Sequence, residues 1–360
     1  MNTAVNKRFY DNSSLLKSII KNSGIQDILD NRVENGVTDI AINRPKEIWI
    51  ENSKGWSCID APDLTYERLE KFANAFAIFN SQEINFENPI CSGVLPNGER
   101  GQVVLPPACE DGTIAISIRV PSSTRFTLDQ YKNTGRLSNF KSNVESIKAH
   151  AINPNPNELD LLKPFERELL KFIEEERIDD FIKMAVEKEL NIVLVGGTGS
   201  GKTTFTKAVV DCIPPSVRIF TIEDTPELDM PNHPNRVHLF YGRAGVTPKQ
   251  LVKSCMRMKP TRVLLTELRG DETWDYLSLL NTGHRGSVTT VHANDCESAY
   301  FRIGGLIKQS EIGQTMSFDY IMNEVFTTLD VMMFFEGTFL KEISYNPVRK
   351  YKLLNGARYE

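Results

Sequence analysis

Hydrophobic and polar positions in the first 130 residues follow both helical and strand-like periods. Apolar residues recur at helical spacing over 13–30 and 66–79, which predicts two helices. Thr113–Arg119 alternates strictly and predicts a strand with isoleucines on one face and, on the other, small side chains beside the long cation of Arg119. Short apolar runs bounded by turn-forming residues predict further strands at 39–42, 47–51, 55–59, 91–95 and 102–105. We therefore expect an N-terminal α+β domain over residues 1–131.

From residue 164 onward, apolar strand-like runs alternate with helical patterns. The predicted strands are 191–196, 218–224, 236–241, 262–268 and 287–292, and the predicted helices between them are 201–212, 247–258 and 271–281. Repeated β–α units with apolar strands indicate a mainly parallel sheet that is covered on both faces. A hairpin over 331–345 follows, so residues 164–360 are expected to form an α/β domain.

The segment 132–163, between these two domains, has the composition of a long linker. Its stretch Asn153–Asn157 carries prolines at alternate positions, which disfavours a helix interior or an inner strand. Thirty-odd extended residues reach up to about 100 Å. The first domain could therefore pair with the second domain of its own chain or of a neighbouring chain, and the sequence leaves that choice open.

Composition and charge narrow the classes of function. Hydrophobic residues make up 40% of the chain and charged residues 25%, which is ordinary for a globular protein. The formal net charge of −5 disfavours nucleic acid as the main partner, because duplex-binding proteins usually present a basic face. No apolar run approaches the roughly 18–20 residues of a membrane helix, so a cytoplasmic location is expected. The six cysteines form no C-x-x-C pair and are interpreted as free thiols.

A glycine-rich loop follows the first predicted strand of the second domain. Gly196-x4-Gly201-Lys202-Thr203 fits the pattern G-x-x-x-x-G-K-[ST], in which backbone N–H groups and a helix N-terminus cradle the phosphates of a nucleotide. Lys202 is expected to reach the β- and γ-phosphates of ATP, and Thr203 is expected to ligate Mg²⁺. The residues predicted to bind the nucleotide here are Gly197, Thr198, Gly199, Ser200, Gly201, Lys202, Thr203 and Thr204.

Two glutamates stand where predicted strands end, at the edge where a parallel sheet binds its ligands. Glu267 follows an apolar strand and is expected to orient the water that attacks the γ-phosphate. Glu223 is expected to help hold Mg²⁺ and water. Either one could be an ordinary surface acid by itself, and the sequence leaves open which of them positions the water.

A histidine also ends a predicted strand. A lone histidine is more often structural than catalytic, but His292 ends the strand 287–292 on the same edge as the acids. We expect it to sense the γ-phosphate by hydrogen bonding.

Four segments in fixed order resemble the motifs of a known superfamily. Gly196–Thr204, Thr221–Leu228, Val263–Gly270 and Gly283–Asn294 resemble the Walker A motif, Asp box, Walker B motif and His box of the hexameric secretion ATPases. Within that superfamily, Leu95–Cys109 and Ile114–Ser122 resemble the type IV secretion traffic ATPases of conjugation and effector export, and so do Asn235–Tyr241 and Cys255–Arg262. The chain lacks the tetracysteine module that type II and pilus motors often carry, which favours the same branch.

This resemblance implies a homohexameric ring in which an N-terminal domain layer stacks on a RecA-like layer. It implies that Arg100 and Arg119 contact the nucleotide and that Arg257 lies near the γ-phosphate and neutralises charge. ATP and Mg²⁺ would be the cofactors. The implied partners are a second secretion ATPase, a coupling protein and an inner-membrane complex, with peripheral contact at the cytoplasmic face of the bacterial inner membrane.

Several functions share these motifs. The leading hypothesis is a mechanochemical ATPase that powers substrate export or pilus biogenesis. An ATP-dependent assembly switch within the same machine is the alternative. A nucleic-acid helicase is disfavoured by the acidic balance and by the absence of a basic–aromatic stripe in the sequence, although direct nucleic-acid binding stays open. A small-molecule kinase fits least well, and the cargo, whether DNA, protein or pilin, is not determined by the sequence.

Overall fold

A computed structural model describes residues 13–120, 125–144, 158–242 and 245–357. Its contacts divide the chain into two compact units. The first unit consists of Met1–Ser123 with Gly242–Gly245, and the second consists of Thr124–Tyr241 with Val246–Glu360.

The first unit is built on an antiparallel sheet of six strands in the order β3-β2-β1-β6-β5-β4. Its strands are β1 Asp39–Ile42, β2 Glu47–Asn52, β3 Gly55–Asp60, β4 Ile90–Val94, β5 Arg100–Val104 and β6 Ala115–Arg119, and its helices are α1 Ser13–Asn22, α2 Ile25–Asp30 and α3 Tyr66–Phe79. The helix predicted over 13–30 is split in two. Gly24 adopts φ 81°, a left-handed conformation that suits glycine and ends α1.

The apolar residues on one face of β6 and on one face of α3 form part of the core of this unit, as the sequence predicts. Ile116 and Ile118 are buried in the sheet, and Phe72 and Phe76 of α3 pack in the same cluster. The helix approaches β5 closely at Gly101, where an added Cβ would lie 2.6 Å from the ring of Phe76.

The second unit alternates strands and helices. Its strands are β7 Lys141–Ser142, β8 Ile192–Val195, β9 Ile219–Glu223, β10 Arg236–Phe240, β11 Arg262–Leu265, β12 Val288–Val291, β13 Val331–Glu336 and β14 Phe339–Tyr345. Its helices are α4 Leu128–Asn133, α5 Pro164–Glu174, α6 Ile178–Glu187, α7 Lys202–Val210, α8 Pro248–Cys255, α9 Glu272–Leu280, α10 Cys296–Gln309, α11 Glu311–Gln314, α12 Phe318–Thr328 and α13 Pro347–Leu354, with a 3-10 turn at Glu158–Leu161.

Most strand pairs of this unit are parallel, as expected for β–α repeats. The strands form two groups in the orders β10-β9-β11 and β12-β8-β13-β14-β7, and only the β13–β14 hairpin is antiparallel among these described pairs. A hydrogen bond from the Leu268 N–H to the Thr290 carbonyl joins the chain after β11 to β12. Successive residues of β8 belong alternately to two hydrophobic clusters, so both faces of this strand are covered.

The segment 125–144 packs with the second unit, although the sequence analysis places a domain end at 131 and a linker over 132–163. Tyr131 of α4 stacks edge-on against Phe205 at 4.9 Å, and β7 pairs with β14. Arg125 forms ion pairs with Asp211, just after α7, and with Asp229. Residues 145–157, the middle of the predicted linker, lie outside the described residues.

Candidate nucleotide-binding site

The glycine-rich loop connects buried β8 to α7. Gly199 and Gly201 have φ of 75° and 81°, which L side chains rarely adopt, and Gly201 caps the helix. An added Cβ at Gly196 would lie 2.4 Å from the Phe335 carbonyl oxygen, so the β13–β14 hairpin leaves no room for a side chain there. Gly197, Thr198 and Gly199 are exposed, whereas Ser200 is buried and donates to the Gly197 carbonyl at 2.9 Å. The loop therefore makes a tight turn that depends on its glycines, directly before the N-terminus of a helix.

Lys202 begins α7 and points back along the loop. Its Nζ donates to the carbonyl oxygens of Gly196 and Gly197, at 2.6 Å each. Burial lowers the pKa of Lys202 to about 8, although the charge of Glu267 acts in the opposite direction. A phosphate beside this ammonium would favour its charged form, so the site is electrostatically suited to a polyanion.

Glu267 lies just beyond β11, between two cationic or basic side chains. Its Oε2 accepts a hydrogen bond from Arg269 at 2.7 Å, and its Oε1 lies 3.3 Å from His292 Nε2. Burial acts to raise the pKa of Glu267, but the hydrogen bond and charge of Arg269, with the charges of His292 and Lys202, outweigh it and lower that pKa. The carboxylate therefore stays ionised beside the glycine-rich loop.

His292 follows β12 at the same edge of the sheet. Burial and the nearby Lys202 lower its pKa, while the Glu267 carboxylate acts to raise it. Its side chain is 46% exposed. Arg269, which the sequence analysis did not select, bridges Glu267 and Asp224 Oδ2, the latter at 3.2 Å.

Glu223 ends β9 and is 1% exposed. Its Oε1 accepts from the Thr221 hydroxyl at 2.5 Å and lies 3.0 Å from His238 Nδ1. Its Oε2 accepts from the backbone N–H groups of Glu227 and Leu228, at 3.0 and 2.9 Å. The structure therefore uses Oε2 of Glu223 to hold the loop that follows its own strand, and Oε1 to bond to Thr221 of the same strand and His238 of the neighbouring β10.

Another carboxylate of that loop lies beside the predicted Mg²⁺ ligand. The hydroxyl of Thr203 donates to Glu227 Oε2 at 3.4 Å. Sequence reasoning missed Glu227 because it selected the acid at the strand end. The signal that could have found it is a second acid four residues later, in the same Asp-box segment.

The three predicted arginines belong to other elements than the phosphate loop. Arg257 is exposed in the connection from α8 to β11, hence at the amino ends of the strands, whereas the phosphate loop lies at the carboxyl end of β8. Arg100 and Arg119 belong to the first unit, where they are directly opposite each other on β5 and β6. Arg119 also pairs with Asp39, with Nε 3.1 Å from Oδ1. Of the predicted binding residues, Thr204 is half-buried in the first turn of α7.

Comparisons with known proteins identify the family of this chain. A model of the family described as "Type II/IV secretion system protein" matches residues 116–330. The type IV secretion system protein VirB11 of Brucella abortus is 39% identical over 331 residues, which is 88% of this chain and 87% of the relative. VirB11 of Bartonella quintana is 38% identical over 332 residues, which is 90% of this chain and 92% of the relative.

A solved structure also resembles the whole chain. The crystal structure of the VirB11 ATPase from the Brucella suis type IV secretion system, in complex with sulphate, aligns with a TM-score of 0.52 at 37% identity. The alignment covers 96% of this chain and 98% of that chain.

Proposed function

We propose a function from the premise that this chain belongs to the type II/IV secretion system protein family and is a VirB11-like secretion ATPase. In this proposal it hydrolyses ATP to power export or pilus biogenesis in a conjugation-type secretion machine. The observation that carries the proposal is the convergence of Lys202, Glu267 and His292 at the carboxyl ends of β8, β11 and β12. An ionised base beside a phosphate cradle is the arrangement that hydrolysis of a terminal phosphate requires.

Each residue of this edge has a separate task in the proposal. The backbone of the phosphate loop and Lys202 bind the β- and γ-phosphates. Glu267, kept ionised by Arg269, orients a water for attack, and His292 hydrogen-bonds the γ-phosphate. Because Arg269 also reaches Asp224, the position of Glu267 is tied to the loop that follows β9.

The residues present fit a magnesium ion. Mg²⁺ prefers hard oxygen donors, and Thr203 Oγ1 and the Glu227 carboxylate offer two of them within 3.4 Å of each other. Bound Mg²⁺ would supply charge neutralisation at the β- and γ-phosphate oxygens. We propose Thr203 and Glu227 as the residues that hold it. Glu223, the metal ligand predicted from the sequence, would contribute by fixing the loop that carries Glu227.

The larger assembly is also proposed from the family. Six copies would form a ring at the cytoplasmic face of the inner membrane, together with the second ATPase, the coupling protein and the inner-membrane complex of the machine. Arg100 and Arg119 would contact the nucleotide from the first unit. In the described chain no helix is long and apolar enough to cross a membrane, so we propose that any membrane contact is peripheral.

The test measures ATP binding and steady-state hydrolysis on the same purified samples. The wild type should turn over, Lys202→Ala should lose binding, and Glu267→Gln should bind ATP but hydrolyse it about 10²–10⁴-fold more slowly. Glu311→Gln, an exposed acid of α11, is the matched control and should behave as the wild type. Normal hydrolysis by Glu267→Gln would remove Glu267 from its role. If Glu267→Gln lacked turnover and yet supported secretion, the protein would be an assembly switch rather than a motor.

A further inference from the structure

The second unit contains a cavity of about 480 Å³ at the edge of its sheet opposite the phosphate loop. Leu190, Arg285 and Asp330 line it, and they precede β8, β12 and β13 respectively. The phosphate loop follows β8, so the length of that strand, about 13 Å for four residues, separates the two sites. A cavity of this size falls within the range of about 300–1,000 Å³ typical of small-molecule sites.

Positive charge dominates the lining of this cavity. Five cationic and two acidic side chains contribute to it: Lys163, Lys188, Arg285, Arg349 and Lys350, with Glu166 and Asp330.

Both acids are already engaged by the protein. Asp330 accepts hydrogen bonds from the Asn191 N–H and from Lys350. Glu166 accepts one from the Lys163 N–H at 2.8 Å, in the first turn of α5. Lys188 also pairs with Glu187, at 2.8 Å, so the excess positive charge belongs mainly to Lys163, Arg285 and Arg349.

Arg349 and Arg285 provide cationic N–H donors that are not paired with a carboxylate in the described part of the chain, and packing fixes the orientation of Arg349. The guanidinium of Arg349 lies 3.8 Å from the ring centroid of Phe326 and 4.9 Å from that of Tyr300. These rings hold the guanidinium plane but leave its N–H groups to other acceptors. Neither Arg349 nor the exposed Arg285 forms an ion pair with any carboxylate in the described part of the chain. A preorganised guanidinium of this kind suits a phosphate oxygen pair.

The rim of the cavity is apolar. Leu161, Tyr351 and Leu354 line it and are 45%, 39% and 66% exposed. An organic group attached to the anion would therefore find apolar contacts at the rim.

We propose that this cavity binds a phosphate group carried on a small organic molecule or on a lipid headgroup. The cations bind the phosphate oxygens, with Arg349 at the wall and Arg285 at the mouth, and the apolar rim contacts the carrier. The site is separate from the phosphate loop and does not depend on the proposed ATPase activity.

The test uses the full chain with Lys202→Ala, which removes the phosphate loop as a competing anion site. Calorimetry with pyrophosphate measures the soluble source, and flotation with phosphatidylglycerol vesicles, against phosphatidylcholine vesicles, measures the lipid source. In this background Arg285→Gln and Arg349→Gln should each weaken binding of at least one probe about tenfold. Arg302→Gln, an exposed arginine of α10 outside the cavity, should leave it unchanged.

The outcomes distinguish a soluble phosphate from a lipid phosphate, and they also test whether the cavity binds a phosphate at all. Loss of pyrophosphate binding assigns a soluble phosphate, and loss of flotation alone assigns a lipid phosphate. Arg285→Gln guards against a folding artefact, because Arg285 is exposed and its replacement disturbs no packed ring. Absence of binding of both probes, or equal weakening by Arg285→Gln and Arg302→Gln, would overturn the proposal. ATP hydrolysis by Arg349→Gln with Lys202 intact should equal that of the wild type, so this site and the ATPase site can fail independently.

Discussion

At the scale of single residues, the position of a titratable group and its surroundings decide what it can do. Glu223 and Glu267 both end or follow a strand at one edge of the sheet. Glu267 faces Lys202 and His292, whereas Glu223 faces the amides of its own loop. The sequence shows that both acids are at the correct edge. It does not show which way each carboxylate turns, because that depends on the fold of the loop after β9.

Nucleotide binding at pH 8 should be accompanied by proton uptake. Burial holds the pKa of Lys202 at about 8, so about half of the protein carries a neutral Lys202 at that pH before binding. The phosphates favour the ammonium and raise its pKa, so binding takes up about half a proton, and less as the pH falls toward 6.5. Calorimetry in buffers with different ionisation enthalpies measures this number.

Lys202→Arg is the control for this prediction, because a guanidinium stays charged over the whole range. If the arginine variant still binds the nucleotide and takes up the same number of protons at pH 8, another group is responsible for the uptake.

At the scale of elements, pattern and period predicted most of the fold. The strict alternation of Thr113–Arg119 and the helical face of 66–79 correspond to β6 and α3. The composition of residues 132–144 predicted a linker because the segment is polar, whereas α4 and β7 pack with the second unit in the structure. The contacts of Tyr131 with Phe205, and of β7 with β14, join residues far apart in sequence, which local composition does not reveal.

Glu223, at the end of β9, and Glu227, in the loop after it, are expected to have different roles that mutation can separate. Glu223→Gln should lower the free energy of unfolding by about 1–3 kcal/mol, because a buried acceptor of two backbone amides loses its charge. Glu227→Gln should change stability by less than about 0.5 kcal/mol, but should raise the Mg²⁺ concentration needed for half-maximal hydrolysis. Urea unfolding and a magnesium titration of ATPase activity measure the two effects. If Glu223→Gln raised the Mg²⁺ requirement and Glu227→Gln lowered the stability instead, Glu223 would be the metal ligand.

At the scale of the whole molecule, the location of Arg257 bears on assembly. It lies at the amino ends of the strands, away from the phosphate loop of its own second unit. If it neutralises charge at the γ-phosphate, as the family resemblance implies, it must reach the site of another subunit.

Mixing two inactive proteins tests this arrangement. Lys202→Ala lacks the phosphate-binding lysine and Arg257→Ala lacks the arginine, and each alone should show little hydrolysis. If the proposed ring forms, mixed rings would contain interfaces where an intact Lys202 meets an intact Arg257 of the neighbour, and activity should exceed the sum of the separate samples. Light scattering should give a mass near six times the 40.7 kDa of the chain. A mixture without recovered activity would contradict a role for Arg257 across the subunit boundary.

The ion pairs of Arg125 determine where mechanical tension would enter the ATPase unit. Arg125 binds Asp211, directly after the last turn of α7, and Asp229. Lys207 of the same helix also reaches Asp229, at 3.0 Å. A pull on the chain at residue 125 would therefore act first on the C-terminal end of α7, the helix whose first residue, Lys202, is proposed to bind the phosphates. If the proposed site binds a nucleotide, strain at residue 125 and the nucleotide would act on opposite ends of one nine-residue helix.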